Sequence, residues 1–138
     1  MSAPAFLKQC APASAELYSP LVLAYIGDAV FELLVRSRVV AGGNRPVNEL
    51  HRQSASLVKA PTQAAMYHKI EDKLTEEEAA VLKRGRNAKS FTHAKNASIT
   101  DYRHATGLEA LFGYLYLKGN IHRIFELFDL CLTDTVQG

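Results

Sequence analysis

Leu23-Ala24-Tyr25-Ile26-Gly27-Asp28-Ala29-Val30-Phe31-Glu32-Leu33-Leu34 reads as the middle of a buried helix, yet it carries a carboxylate directly after a glycine. Apolar residues continue on both sides, from Leu21 to Val40. Ser19-Pro20 supplies an N-cap followed by proline at the first helical position, and Gly42-Gly43 supplies a stop. A helix apolar nearly all round is expected at the centre of a fold. A carboxylate buried there needs a cationic partner, a metal or a proton, because burying its charge alone is costly. Glycine beside it lets a second helix or a substrate approach the backbone closely.

Working outward, the same helical period recurs. One pattern runs from Val47 through Leu50, Ala55, Leu57 and Val58; Pro61 breaks or restarts it, and Thr62 to Ile70 continues. Thr75-Glu76-Glu77-Glu78 is a capping box leading into Ala79, Val81 and Leu82, with Gly85 expected to end that helix. Asn87 to Thr100 has weak periodicity and is expected as loop or short irregular helix. From Asp101 a further helix runs to Leu117 and is closed by Gly119; Asn120 caps a last one with Ile121, Ile124, Phe125, Leu127, Phe128 and Leu130. No alternating strand pattern and no internal repeat is present, so the expected fold class is all-α. Residues 1–15, small and punctuated by Pro4 and Pro12, are expected as a flexible arm, and 16–138 as one domain.

Composition excludes several classes. At 48% hydrophobic and 22% charged residues the chain suits a globular domain rather than a disordered one. No run approaches the roughly 18 apolar residues of a membrane span, and the N-terminus lacks a continuous apolar signal region. Cys10 and Cys131 have no CxxC spacing, which argues against a zinc site or a disulfide framework and for a reducing, cytoplasmic setting. The net charge of +2 is unevenly spread: Lys83 to His104 carries six basic residues against Asp101 alone, while the remainder is mildly acidic. A basic segment on such a body is the pattern of an anionic partner, with a solvated lysine-bearing loop as the bland alternative.

Two features could carry chemistry. Glu109, in Gly107-Leu108-Glu109-Ala110-Leu111-Phe112-Gly113, repeats the arrangement around Asp28: an acid in apolar helix with a glycine shortly before it. Crossing of the two helices would bring both carboxylates together, and converging oxygen ligands suit Mg²⁺, which completes its shell with water and phosphate. Pairing of Asp28 with an arginine, or solvent exposure of either acid, is the competing account. The five histidines form no HExxH, and no GxSxG is present, which argues against zinc and serine hydrolases. The second feature is the run from Lys83 to Asn96, whose Lys, Arg, Asn, Ser and Thr side chains are the groups that contact phosphate and ribose. A lone Phe91 is no stacking platform for single strands, whereas a duplex read by shape and 2′-OH needs only this inventory.

These motifs resemble the ribonuclease III catalytic domain. Leu23 to Leu34 is similar to its signature helix, Ala55-Ser56-Leu57-Val58 to its R-A-x-L-V segment, and Ala105 to Leu117 to its second acidic helix. The resemblance covers about residues 17 to 130, in the family's order. Ala24 and Thr106 stand where the long enzymes have acids, and no double-stranded-RNA-binding domain is expected beyond Gly138. With the basic run RGRNAKSFTHAKNAS, those departures resemble the compact bacterial branch of the family, Mini-ribonuclease III. The resemblance implies a helical, homodimeric, Mg²⁺-dependent endoribonuclease (Mn²⁺ as a substitute) that cuts double-stranded RNA to 5′-phosphate and 3′-hydroxyl ends. Its implied role is maturation of the 23S ribosomal RNA precursor, with association with ribosomal proteins or the pre-ribosome. Carried over residue by residue, Asp28 and Glu109 are the expected catalytic metal ligands. Thr106 is expected to order a metal-bound water through its hydroxyl. RNA contacts are expected from Arg84, Arg86, Asn87, Lys89 and Lys95, and from Arg52, Lys59 and Gln63. The alternatives are a catalytically inert double-stranded-RNA-binding module of the same fold and a helical protein-interaction dimer.

Overall fold

The computed structural model describes residues 15–89 and 98–133, which form helices and turns only. Helix α1 spans Pro20–Ala41 and starts where the sequence places it, with the Ser19 hydroxyl accepting from the Val22 N–H. Helices α2 (Val47–Leu57) and α3 (Ala60–Ile70) follow, with Pro61 in the first turn of α3, where its missing N–H costs nothing. A 3-10 turn at Glu71–Lys73 leads to α4 (Glu76–Asn87). Its capping box is complete: Glu78 N–H donates to Thr75 Oγ1 at 3.1 Å, and Thr75 N–H to Glu78 Oε1 at 3.0 Å. Helix α5 spans Ile99–Lys118 and ends at Gly119, whose φ of 84° is open to glycine at little strain. Asn120 then caps α6 (Ile121–Leu132) by accepting from the Arg123 N–H.

The centre of the molecule is α5, not α1. Every residue from Ala105 to Leu115 except Glu109 is buried, and α1, α4 and α3 pack around that stretch. Phe31 of α1 meets Phe112 of α5 and Phe128 of α6 at ring centroids 5.6 and 5.8 Å apart. By contrast α1 buries one side only; Val22, Tyr25, Leu33 and Val40 form an exposed apolar stripe. Apolar composition alone made α1 look central, but a helix can be apolar all round and still leave one face to a partner.

Gly85 does not end α4, which continues to Asn87. A methyl on Gly85 would lie 2.7 Å from Ala110 Cβ and 2.9 Å from Gly107 Cα, so this glycine is a helix crossing rather than a cap. Helix α5 begins two residues before Asp101, with the Ser98 hydroxyl accepting from the Asp101 N–H at 3.0 Å. The expected N-terminal arm falls almost wholly outside the described residues, as do Cys10 and the centre of the basic run. Among the described residues no helix is long and apolar enough to cross a membrane.

Candidate active site

Two glycines set the site. A methyl on Gly27 would overlap the Glu109 carbonyl oxygen, and one on Gly113 would overlap the Leu23 carbonyl oxygen. The backbones of α1 and α5 therefore touch, nearer than side chains of any size would allow. Sequence reading associated Gly107 with this crossing; the structure gives that place to Gly113 and packs Gly107 against Leu82 and Arg86 of α4.

The crossing brings Asp28 and Glu109 into side-chain hydrogen-bonding contact. Asp28 is solvent-exposed, whereas Glu109 is half-buried. Burial, then the neighbouring Asp28 charge and its hydrogen bond, push the Glu109 carboxyl up to about 8; a hydrogen bond from Gln63 opposes this. Among the described residues no arginine or lysine acts on Glu109, and two touching carboxylates without one need a shared proton or a cation. The sequence alone leaves open a pairing of Asp28 with arginine. Arg36, on the same helix, is instead held by Glu32 at 2.9 Å.

The donor set fits a hard divalent cation. It is oxygen-only, doubly acidic and open to solvent on the Asp28 side, which leaves coordination positions to water and phosphate as Mg²⁺ prefers. No cluster of three or more His, Cys, Asp or Glu among the described residues is placed to hold a metal unaided. Ala24 and Thr106 are both buried in this neighbourhood and neither adds a carboxylate. The Thr106 hydroxyl donates to the Tyr102 carbonyl at 3.0 Å, so its proton is committed to the helix and its free lone pairs are what it offers.

The expected RNA-contacting residues that lie among the described ones separate into three groups. Arg84, Lys89, Arg52, Lys59 and Asn87 are exposed, although Arg84 also donates to the Tyr18 carbonyl at 3.3 Å. Arg86 is half-buried and turned inward, donating to the Tyr67 hydroxyl at 3.2 Å and to Asn87 Oδ1 at 3.1 Å. Gln63 is buried at 3% exposure and donates to Glu109 Oε2 at 3.4 Å, which places it with the carboxylates and away from the basic surface. Lys95 lies outside the described residues. The contact between Gln63 and Glu109 is not legible in the sequence, because a glutamine 46 residues away carries no local signal.

The ribonuclease III domain family matches residues 21–120. The chain is 50% identical over 112 residues to Mini-ribonuclease 3 of Thermoanaerobacter sp. (strain X514), covering 81% of this chain and 79% of that one. It is 38% identical over 124 residues to Mini-ribonuclease 3 of Streptococcus pneumoniae, covering 88% and 96%. The crystal structure of a Fusobacterium nucleatum protein superposes with a TM-score of 0.77 at 31% identity, covering 84% of this chain and 94% of that one.

Proposed function

This chain belongs to the ribonuclease III family and is an endoribonuclease, and from that premise we propose that it hydrolyses double-stranded RNA at the Asp28–Glu109 pair with Mg²⁺ as cofactor. The observation that carries this is the contact of two carboxylates across a glycine-to-glycine helix crossing, open to solvent on one side. Asp28 and Glu109 would hold the cation. When bound, it supplies a water of lowered pKa and neutralises charge on the phosphate as the P–O bond breaks. The products are a 5′-phosphate and a 3′-hydroxyl.

The residues themselves do the binding and orienting. Glu109 must release its proton for the pair to take up a cation, and the amide of Gln63 favours that ionised form. Arg84 and Lys89 at the end of α4, with Arg52 and Lys59 on α2 and its junction with α3, offer phosphate contacts, which dominate affinity for a duplex. The exposed stripe of Val22, Tyr25, Leu33 and Val40 on α1 supports a homodimer. Tyr25, 82% exposed, is the most exposed member of that stripe. A dimer through this face would join two basic surfaces on one body. The proposed cellular substrate is the 23S ribosomal RNA precursor, met in the cytoplasm.

Incubation with a long RNA duplex in Mg²⁺ and then in EDTA tests reaction, substrate and metal together. Cleavage only with Mg²⁺, lost in Asp28→Asn while duplex binding persists, is the expected result. Cleavage in EDTA, or full activity of Asp28→Asn, overturns the proposal. Duplex binding should also weaken steeply with salt, and a flat response from low to moderate salt counts against the phosphate contacts.

A further inference from the structure

We infer that Gln63 is a positioning residue: from a third helix, its buried amide holds the Glu109 carboxylate in the orientation that meets Asp28 and the bound cation. The inference rests on the metal site proposed above and extends it beyond the two acids.

Gln63 lies at the start of α3, where its backbone N–H donates to the Lys59 carbonyl at 2.9 Å and fixes its place in the first turn. At 3% exposure it is not on the surface that meets a duplex. Its Nε2 lies 3.4 Å from Glu109 Oε2 and donates to it. A buried amide needs a polar partner, and a buried carboxylate needs donors. Each meets that need of the other here, across two elements far apart in sequence.

The chemistry favours an amide in this place. An arginine or lysine would hold Glu109 more strongly, but it would neutralise the charge that attracts a cation. A neutral N–H donor fixes one carboxylate oxygen and leaves the charge available. Among the described residues, Glu109 is met by Asp28, which shares a hydrogen bond with it while its charge opposes that of Glu109, and by Gln63, which donates to it. Ala24 has no polar group, and the Thr106 hydroxyl donates to the Tyr102 carbonyl. With two acids at the site among the described residues, the orientation of the more buried one depends on Gln63.

The test is a Mg²⁺ titration of the metal-free protein without RNA, followed by thermal melting, on the parent and on Gln63→Met, which keeps the volume and removes the donor. The midpoint for metal-induced stabilisation is expected to rise roughly 10- to 100-fold, the usual effect of losing a hydrogen bond to a metal-ligating carboxylate. In cleavage assays kcat at fixed Mg²⁺ should fall while KM for duplex RNA stays put. An unchanged metal midpoint overturns the inference, as does a raised KM with unchanged kcat, which would return Gln63 to RNA contact. A second measurement needs no folded variant: the Gln63 side-chain amide resonances of the parent should move on Mg²⁺ addition. Resonances that stay fixed at saturating Mg²⁺ also overturn it. If the parent binds Mg²⁺ but leaves duplex RNA uncut, the nuclease reading falls, and the metal midpoint still decides the role of Gln63.

Discussion

Glu78 and Glu109 are both glutamates drawn out of water by helix packing, and they have opposite fates. Glu78, buried at 5% exposure in the first turn of α4, meets Arg123 in a two-pronged ion pair with N–O distances of 2.9 Å. It also accepts from the Thr75 N–H, while Arg123 donates further to the Lys73 carbonyl. Burial acts to raise the Glu78 pKa, but the hydrogen bonds and charge of Arg123 outweigh it and hold the carboxyl below its ordinary range. Glu109 finds another carboxylate and one neutral amide, and its pKa is pushed up to about 8. The first acid is satisfied and ties α4 to α6; the second is left wanting a positive charge. A buried carboxylate is thus a sign of function only when its own chain declines to neutralise it.

The sharpest way to break this contrast is to remove each acid by the same change. Glu109→Gln is expected to lower kcat for duplex cleavage by on the order of 10³-fold, since metal-borne charge stabilisation is worth several kcal/mol. Its fold should survive. Glu78→Gln should leave cleavage close to that of the parent once folded. If Glu78→Gln lost activity at full folding, the division of labour between the two acids would be wrong.

Stability should move the other way. Arg123→Met leaves Glu78 buried and unpaired, and is expected to destabilise by about 3 kcal/mol in urea unfolding, the low end for such pairs because the guanidinium is 21% exposed. Adding a methyl at the crossing, Gly27→Ala, should be felt in both fold and site. The overlap with the Glu109 carbonyl must push α1 and α5 apart, destabilising by about 1–3 kcal/mol and reducing cleavage further than the lost stability explains.

The smallest expected effect is in pH dependence, measured on metal-free protein in EDTA. Glu109 keeps a proton in the folded state that the unfolded chain releases near pH 4.5, so the folded state binds more protons and stability falls as pH rises from there to about 8. Glu109→Gln should flatten that limb and raise the melting temperature at pH 8. Glu78 has the opposite sign: its contribution is present above the ordinary carboxylate range and is lost as pH falls through its lowered pKa. Glu78→Gln should therefore flatten the acid limb instead. An alkaline limb unchanged by Glu109→Gln would mean that the fold does not hold a proton on Glu109.

Four helix-end signals in the chain are legible because their physics is local. Ser19-Pro20, the Thr75 capping box, Gly119 and Asn120 each act through hydrogen bonds spanning a few residues, and each falls at the helix end expected. Gly85 misled because a glycine that caps a helix and a glycine that lets two helices touch look the same in one dimension. Its partners Gly107 and Ala110 are more than twenty residues away. Ser98 was overlooked as a cap for the complementary reason: without strong periodicity before Asp101, one serine in a polar run carries little weight.

The sequence by itself determined the all-helical class, most helix ends, and the two acids in apolar surroundings, because caps and periodicity are properties of neighbouring residues. Only the tertiary structure decided which helix is central, that Gly27 meets Gly113, and that Gln63 rather than a cation meets Glu109. Those are contacts between distant segments, fixed by how closely two backbones can pack. The charge of Asp28 is tolerated in an apolar helix for that reason: the crossing leaves it exposed to solvent, next to a second acid on which, among the described residues, no arginine acts.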